Sequence, residues 1–129
     1  MTHPQLIATA IEARERAYAP YSGFKVGAAL LTSSGRVYTG CNIENVAFSA
    51  TVCAERTAIF KAVSDGERQF DVIAVVTQTA IPPCGVCRQV MAELAPQMTV
   101  IIANLEGHYR VTTLHDLLPD AFVPSQMPR

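Results

Sequence analysis

Charge is scarce in this sequence, and basic charge is nowhere concentrated. Only 16% of the 129 residues are charged, and the formal net charge is −1. Proteins that bind nucleic acids carry clustered Lys and Arg residues that neutralise phosphates. The densest basic cluster here is Arg14 with Arg16, and acidic residues lie beside both. We therefore expect no nucleic-acid partner.

Long apolar runs are also missing. Runs such as residues 72–76 are far too short to span a bilayer. The first nineteen residues lack the basic region and the continuous apolar core of a secretory signal. We expect a cytoplasmic protein without a membrane partner. In a reducing compartment, the four cysteines are more typical of a metal site or a catalytic site than of disulfides.

The sequence has no repeats, low-complexity segments or linkers, and its length suits one domain over residues 1–129. Half of the residues are hydrophobic, and the mean hydropathy is +0.22. A small domain has too little interior for so much apolar surface. This composition favours burial of part of that surface between subunits, and hence an oligomer.

Hydrophobic periodicity and turn residues predict the element order α-β-β-α-β-α-β-β-α. A link of only three residues, 106–108, favours an antiparallel last pair of strands. Strands separated by helices indicate a mixed α/β sheet with helices packed on its faces. The predicted helices cover residues 2–18 (ending before Pro20), 53–64, 85–95 and 114–118, and the predicted strands cover residues 26–32, 37–42, 71–78, 99–105 and 109–113.

Two cysteine motifs open the second and third predicted helices. One is Cys53-Ala54-Glu55-Arg56, and the other is Pro83-Cys84-Gly85-Val86-Cys87-Arg88. Free N–H groups and the positive dipole end of a helix stabilise a thiolate, which is the form that binds a metal. Three protein ligands with a fourth position open are typical of catalytic zinc. We predict that Cys53, Cys84 and Cys87 bind one Zn²⁺.

Glu55 follows the first predicted ligand by two residues, too close to share the ion comfortably, so we predict a general acid/base beside the open position. Such a group contributes roughly 10² to 10⁴ in rate. Three thiolates around Zn²⁺ leave a net negative charge, which opposes ionisation of a water molecule. A cation would offset that charge, and Arg56 or Arg88 could donate hydrogen bonds to sulfur.

Five segments in this order resemble one enzyme family, that of the small cytidine deaminases of nucleoside salvage with three cysteine ligands. The likeness covers nearly the whole chain. The segments are Ala19-Pro20-Tyr21-Ser22 with Phe24-x-Val26-Gly27-Ala28-Ala29-Leu30, Gly40-Cys41-Asn42-Ile43-Glu44-Asn45, Cys53-Ala54-Glu55-Arg56-Thr57-Ala58, Pro83-Cys84-Gly85-x-Cys87-Arg88-Gln89, and Leu117-Leu118-Pro119-x-Ala121-Phe122.

The resemblance implies a three-layer α/β/α sandwich around a five-stranded sheet, and one Zn²⁺ per subunit of a homotetramer. It implies hydrolytic deamination of cytidine and 2′-deoxycytidine to uridine and 2′-deoxyuridine, with release of ammonia, in pyrimidine salvage. It also implies that Asn42 and Glu44 bind the ribose hydroxyls and that Phe24 packs against the nucleoside. The Ala54 backbone would contact the pyrimidine.

Two further roles are implied by the same resemblance. Arg56 would hydrogen-bond a metal-bound sulfur, and Phe122 would reach into the site of a neighbouring subunit. Two positions depart from the family pattern. Phe48 stands where relatives often have tyrosine, which puts a hydroxyl contact between subunits in doubt. Pro83 follows another proline, Pro82, at a position where serine is common before the Pro-Cys pair, and we expect this change to alter the loop whose carbonyl should face the 4-amino group.

Three other hypotheses remain open at this point. The same chemistry could act on a cytosine-containing antibiotic or a modified nucleoside. Alternatively, Cys41 could complete a closed structural site of four cysteines, although its place in a strand favours an ordinary core residue. A thiol–disulfide oxidoreductase could use Cys84 and Cys87, but that hypothesis leaves Cys53 and Glu55 without a role.

Overall fold

The computed structural model describes residues 1–128 and contains the predicted elements in the predicted order. The first helix, α1 (His3–Arg14), begins at a capping box in which Thr2 and Gln5 each accept a hydrogen bond from the other's main-chain N–H. The other elements are β1 (Gly27–Thr32), β2 (Val37–Cys41), α2 (Ala54–Ser64), β3 (Phe70–Val76), α3 (Gly85–Leu94), β4 (Thr99–Ala103), β5 (Tyr109–Thr113) and α4 (Leu114–Leu117), with single 3₁₀ turns at Phe48–Ala50 and Pro124–Gln126.

The five strands form one mixed sheet in the order β2-β1-β3-β4-β5. Strands β3 and β4, which α3 connects, run parallel, and every other neighbouring pair is antiparallel. The short link between β4 and β5 does produce an antiparallel pair, with Ala103 opposite Tyr109. The predicted mixed sheet is therefore confirmed.

Helices cover both faces of the sheet, because successive strand residues point to opposite sides. In β1, Ala28 and Leu30 pack in a core with α2 and α3, whereas Ala29 packs in a second core with α1. Both cores consist mainly of buried aliphatic side chains, and the first also includes Phe70 and residues of α4. The predicted three-layer α/β/α sandwich is confirmed.

The first helix ends at Arg14, four residues before the predicted end at Tyr18, so that boundary was wrong. Apolar spacing continues to Tyr18, but the backbone there bonds to the chain after β2 instead. Tyr18 N donates to Asn42 O at 2.9 Å, and Glu44 N donates to Tyr18 O at 2.8 Å. A tertiary contact thus overrides local periodicity and anchors the segment that carries Asn42 and Glu44.

Gly40 allows α2 to lie directly on β2. A Cβ atom at this position would lie 2.3 Å from Ala54 O and 2.6 Å from Ala58 N. Only glycine permits so close an approach of strand and helix backbones. The contact places the first turn of α2 against the end of β2.

Among residues 1–128, none of the helices has both the length and the apolar character needed to cross a membrane.

Candidate active site and metal centre

The strand ends meet at one edge of the sheet and bring polar residues together there. Gly27 at the start of β1 lies opposite Cys41 at the end of β2 and opposite Val76 at the end of β3. The residues just beyond these positions therefore converge. Asn42 and Thr77 are two of them, and both are buried.

Each cysteine motif lies at a helix N-terminus, as the sequence predicted. Cys53 is the N-cap residue of α2, Cys84 is the N-cap residue of α3, and Cys87 lies in the first turn of α3. Neither N-cap side chain accepts a capping hydrogen bond from the main chain of its own helix. Both thiols at the N-cap positions are therefore available to another partner.

The three sulfurs of these motifs form one cluster in which all Sγ atoms lie within 4.8 Å of one another. The distance from Cys53 Sγ to Cys84 Sγ is 3.8 Å. Sulfurs bound tetrahedrally to zinc at about 2.3 Å are about 3.8 Å apart, so the donor set fits zinc. Among the described residues, neither Cys41 nor any histidine belongs to the cluster.

The cluster favours a thiolate at Cys53. Hydrogen bonds from Cys87, and then from Arg56 and Cys84, lower the pKa of Cys53 to about 5 although burial opposes ionisation. The same hydrogen bond to Cys53, together with burial, raises the pKa of Cys87. One thiol therefore ionises while its neighbour keeps a proton, which is the arrangement expected before a cation replaces that proton.

Arg56 is the positive group in contact with the cluster. Its Nη2 donates to Cys53 Sγ at 3.4 Å. Burial alone would lower the pKa of Arg56, but its hydrogen bonds to Cys53 and Cys87 raise it. Its Nε is buried and has no hydrogen-bond partner among residues 1–128.

The Arg88 side chain bonds to main-chain carbonyls, although its position beside Cys87 in the sequence suggested a contact with sulfur. Its Nε donates to Pro83 O at 2.7 Å, and its Nη1 donates to Leu117 O at 2.8 Å. In the described chain these hydrogen bonds reach carbonyls rather than sulfur, so of the two arginines that could contact the cluster it is Arg56 that does so. Arg88 instead ties the loop before Cys84 to the C-terminal segment.

Glu55 lies in the first turn of α2 and is only 3% exposed. Burial raises the pKa of this carboxyl to about 7, and the neighbouring Cys53 adds to the effect. A carboxyl that titrates near neutral pH can both accept and donate a proton under ordinary conditions. Glu55 thus combines burial with a raised pKa, which suits a general acid/base, and its catalytic role stays a prediction.

A cavity of about 300 Å³ adjoins this cluster and has the size of a small-molecule site. Its lining includes both the predicted nucleoside-binding side chains and residues of the cysteine motifs. Its lining consists of Ser22, Phe24, Val26, Asn42, Glu44, Thr51, Val52, Cys53, Glu55, Val75, Thr77, Ile81, Pro82, Pro83 and Cys84.

Asn42 is 8% exposed, and its side-chain amide forms hydrogen bonds with the main chain of Phe24 and Val26. Its Nδ2 donates to Phe24 O at 2.7 Å, and its Oδ1 accepts from Val26 N at 2.9 Å. One N–H of the amide group and one oxygen lone pair remain. Asn42 therefore presents a rigidly oriented polar group to the cavity.

Glu44 lines the same cavity as Cys53 and Cys84, and it accepts three hydrogen bonds. Tyr21 N and Ser22 N donate to its Oε1 at 3.0 and 3.1 Å, and the Ser22 hydroxyl donates to its Oε2. These hydrogen bonds lower the pKa of Glu44, and the one from the Ser22 hydroxyl has the largest effect. Glu44 is therefore ionised and ready to accept from a hydroxyl group.

The remaining predicted site residues lie apart from the cavity. Ala54 is fully buried between the first turn of α2 and Gly40. Phe122 is 56% exposed and outside the cavity lining, and its carbonyl accepts from Gln89 Nε2 at 2.8 Å. Phe48 is 78% exposed and makes an edge-to-face contact with Tyr21. Among the predicted substrate-binding residues, Phe24, Asn42 and Glu44 thus line the cavity, whereas Ala54 and Phe122 do not.

Sequence reasoning missed three polar residues of the cavity, Ser22, Thr51 and Thr77. The Thr77 hydroxyl accepts from Ile81 N at 2.8 Å and so orders the segment that leads to Cys84. A buried polar residue directly after a strand at the carboxyl edge of a sheet is a signal that could have found Thr77. For Ser22 the linear sequence offers no such signal, because its partner Glu44 is distant along the chain.

Known proteins resemble this chain over nearly its full length. A cytidine deaminase of Sporosarcina psychrophila is 58% identical over 121 residues, which cover 92% of this chain and 89% of that protein. A cytidine deaminase of Halalkalibacterium halodurans is 54% identical, with 98% of each chain covered. The crystal structure of a cytidine deaminase from Burkholderia pseudomallei superposes with a TM-score of 0.92 at 56% identity, covering 95% of this chain and all of that one.

A more distant relative acts on a different kind of substrate. A blasticidin-S deaminase of Bacillus cereus is 36% identical over 104 residues, which cover 73% of this chain and 74% of that protein. The family profile described as the cytidine and deoxycytidylate deaminase zinc-binding region matches residues 1–103, which include every residue of the thiol cluster. With this match, the identities above and the shared fold, the chain belongs to the cytidine and deoxycytidylate deaminase family.

Proposed function

We propose that this chain catalyses the hydrolytic deamination of cytidine and 2′-deoxycytidine to uridine and 2′-deoxyuridine, with release of ammonia. The observation that carries the proposal is the cluster of three thiols beside a buried glutamate on the wall of a small-molecule cavity. Identity of 54–58% to cytidine deaminases over nearly the whole chain supports the same activity. The chain acts as one catalytic domain in cytoplasmic pyrimidine salvage.

In this proposal Cys53, Cys84 and Cys87 hold one Zn²⁺ per chain, and the short distances among their sulfurs support that role. When bound, zinc supplies Lewis-acid activation of a water molecule for attack on C4 of the pyrimidine. Arg56 offsets the negative charge of the thiolates through its hydrogen bond to Cys53.

Glu55 moves the protons of the reaction. It accepts one proton from the attacking water and passes it to N3 of the ring, and it then takes the second proton from the new C4 hydroxyl group and gives it to the departing amine. One water is consumed, the C4–N bond breaks, and the oxygen of that water remains on C4. The pKa of about 7 that burial gives Glu55 suits a group that must accept and donate protons in one cycle.

Other residues of the cavity lining bind the sugar and the ring. Glu44 accepts from a ribose hydroxyl, and Asn42 uses its remaining N–H and lone pair toward the ribose. Phe24, which also lines the cavity, packs against the nucleoside, while the Ala54 main chain faces the pyrimidine. The fixed hydrogen bonds of Asn42 and Glu44 support this assignment, because preorganised groups lose little entropy on binding.

The active enzyme is a homotetramer in which Phe122 completes the cavity of a neighbouring subunit. Its exposure outside the cavity of its own chain supports this role. Val46 and Phe48 are also large, exposed and apolar, as expected of residues that another subunit covers.

A nucleoside panel tests this function against the alternatives. We expect the purified protein to convert cytidine and 2′-deoxycytidine at comparable rates, followed by the ultraviolet absorbance change on deamination. Turnover of blasticidin S without turnover of either nucleoside would assign the chain to antibiotic inactivation. Chelation that unfolds the chain, with no deaminase activity in the metal-loaded protein, would favour a structural zinc module instead.

A further inference from the structure

The hydroxyl of Ser22 lies between two predicted nucleoside-binding residues. Its Oγ donates to Glu44 Oε2 and accepts from Phe24 N at 3.0 Å. Ser22 also lines the cavity. One small side chain thus links the carboxylate that faces the sugar to the main chain of the aromatic residue that faces the nucleoside.

The hydrogen bonds of Glu44 leave it little freedom. A carboxylate offers about four acceptor positions, two on each oxygen. The main-chain N–H groups of Tyr21 and Ser22 fill those of Oε1, and the Ser22 hydroxyl fills one on Oε2. About one position therefore remains for a ligand, and the Ser22 hydroxyl determines its direction.

The main chain of Phe24 is held from both sides. Its N–H donates to Ser22 Oγ, and its carbonyl accepts from Asn42 Nδ2 at 2.7 Å. The hydrogen bonds thus run without interruption from Glu44 through Ser22 and Phe24 to Asn42. All four residues line the same cavity.

We propose that Ser22 is a positioning residue of the nucleoside site, which acts by orienting Glu44 and Phe24. This inference rests on the proposed deaminase function and extends it to a residue outside the predicted site. In the described chain Ser22 forms its side-chain hydrogen bonds with Glu44 and Phe24 and none with the thiol cluster or Glu55, so we expect it to affect how the nucleoside is bound and to leave the proton transfers of Glu55 unchanged. Its contribution is therefore to KM rather than to kcat.

Removal of the hydroxyl by Ser22→Ala should raise KM for cytidine about tenfold, the loss typical of a hydrogen bond to a charged group. The value of kcat should stay within about twofold of the unsubstituted enzyme. The pH profile should change as well. The hydroxyl helps keep Glu44 ionised, so in Ser22→Ala the rise of KM on acidification should begin at a higher pH.

Two matched variants separate positioning from a general effect on folding. Ser33→Ala removes a similar serine–carboxylate bond, from Ser33 Oγ to Asp71 Oδ1 at 2.6 Å, in the turn after β1 and outside the cavity lining. It should leave KM unchanged. Ser22→Thr keeps a hydroxyl group and should keep KM within about twofold.

A double-mutant cycle gives the decisive experiment. KM for cytidine is measured in Ser22→Ala, Glu44→Gln and the double variant. We expect Ser22→Ala to raise KM much less in the Glu44→Gln background, because most of its effect passes through Glu44. Full additivity, or an unchanged KM in Ser22→Ala alone, would overturn the role of Ser22 while cytidine turnover by the unsubstituted chain still supports the function. Absence of that turnover would overturn both.

Discussion

Arg56 and Cys53 lie one helical turn apart, and Arg56 Nη2 donates to Cys53 Sγ at 3.4 Å. Cys53 is the N-cap residue of α2, so its thiol also lies at the positive end of the helix. Two sources of positive potential therefore act on one sulfur. This arrangement prepares the sulfur to bind a cation in a site where three thiolates together carry excess negative charge.

Loss of the Arg56 charge should weaken metal binding. Hydrogen bonds from Cys87, Arg56 and Cys84 lower the pKa of Cys53 to about 5, so without Arg56 protons compete better with zinc for this sulfur. We expect Arg56→Gln to reduce zinc affinity about 10- to 100-fold, more at pH 6 than at pH 8. Competition with a chromophoric chelator measures this affinity.

Arg36→Gln is the matched control, because it removes the same charge from a surface pair with Asp65. Its zinc affinity should equal that of the unsubstituted chain. Equal affinities in the Arg56 and Arg36 variants would mean that the contact with Cys53 does not stabilise the thiolate.

Burial of Glu55 should be visible in the stability of the metal-free protein. The folded chain holds the Glu55 proton up to a pKa of about 7, above the usual value of 4.5. Between these two pH values the unfolded chain releases the proton first, so stability falls as pH rises through the window and stays reduced above it. Above pH 7 the buried carboxylate lowers the free energy of unfolding by up to about 3 kcal/mol.

Glu55→Gln removes this cost, so chelator-treated Glu55→Gln should be more stable than the unsubstituted chain at pH 8 and nearly equal to it at pH 5. Urea unfolding in the presence of a reductant measures the difference. Glu93→Gln makes the same chemical change at an exposed position of α3 and should alter stability little at either pH. A difference for Glu55→Gln that does not vary with pH would contradict the burial argument.

Because the backbones of β2 and α2 lie so close at Gly40, this position should not tolerate an added methyl group. A Cβ atom 2.3 Å from Ala54 O must displace the first turn of α2, which also carries Glu55. We expect Gly40→Ala to lower the free energy of unfolding by about 1–3 kcal/mol and to reduce turnover as well. Denaturant unfolding and nucleoside assays measure the two effects.

Gly85→Ala provides the comparison, because a Cβ atom there would meet nothing within 4 Å. Gly85 is the first residue of α3, where alanine favours the helix. The free energy of unfolding of Gly85→Ala should be unchanged or slightly higher than that of the unsubstituted chain. Similar losses in both variants would show that the strand–helix contact at Gly40 is not the cause.

If each active site contains residues of two subunits, two inactive variants should regain activity when they combine in one oligomer. Phe122→Ala lacks the side chain that we propose for the neighbouring cavity, and Glu55→Gln lacks the acid/base of its own cavity. Mixed oligomers from co-expression should contain cavities with both residues intact. We therefore expect more turnover than from either variant alone.

The control for this experiment pairs Glu55→Gln with Cys84→Ala, since both defects then lie in the cavity of their own chain. That mixture should stay inactive. If the Phe122 mixture also stayed inactive while sedimentation showed mixed oligomers, Phe122 would not act across subunits.

The sequence predicted the order of the elements and the three cysteines of the cluster, because both follow from local rules. Helix N-termini and Cys-x-x-Cys spacing determine where the thiols of one segment lie. The mixed sheet and its two helical layers also follow from the alternation of strands and helices. These features are confirmed by the structure and by the family match.

The errors and omissions all concern contacts between distant segments. Periodicity extended α1 to Tyr18, whereas main-chain bonds to Asn42 and Glu44 draw that residue away from the helix. Adjacency to Cys87 suggested a sulfur contact for Arg88, but its side chain reaches main-chain carbonyls. Such partners are set by how the strands and helices pack, which local sequence rules do not describe.

The most direct test of the account compares zinc content and cytidine turnover in the unsubstituted chain and in Glu55→Gln, with each protein divided between elemental analysis and the ultraviolet assay. We expect about one zinc per chain in both proteins, and a loss of turnover of at least about 10² in the variant. Near-normal turnover in Glu55→Gln, or turnover by the unsubstituted chain that persists after complete removal of zinc, would contradict the central claim that three thiols and Glu55 form the catalytic centre.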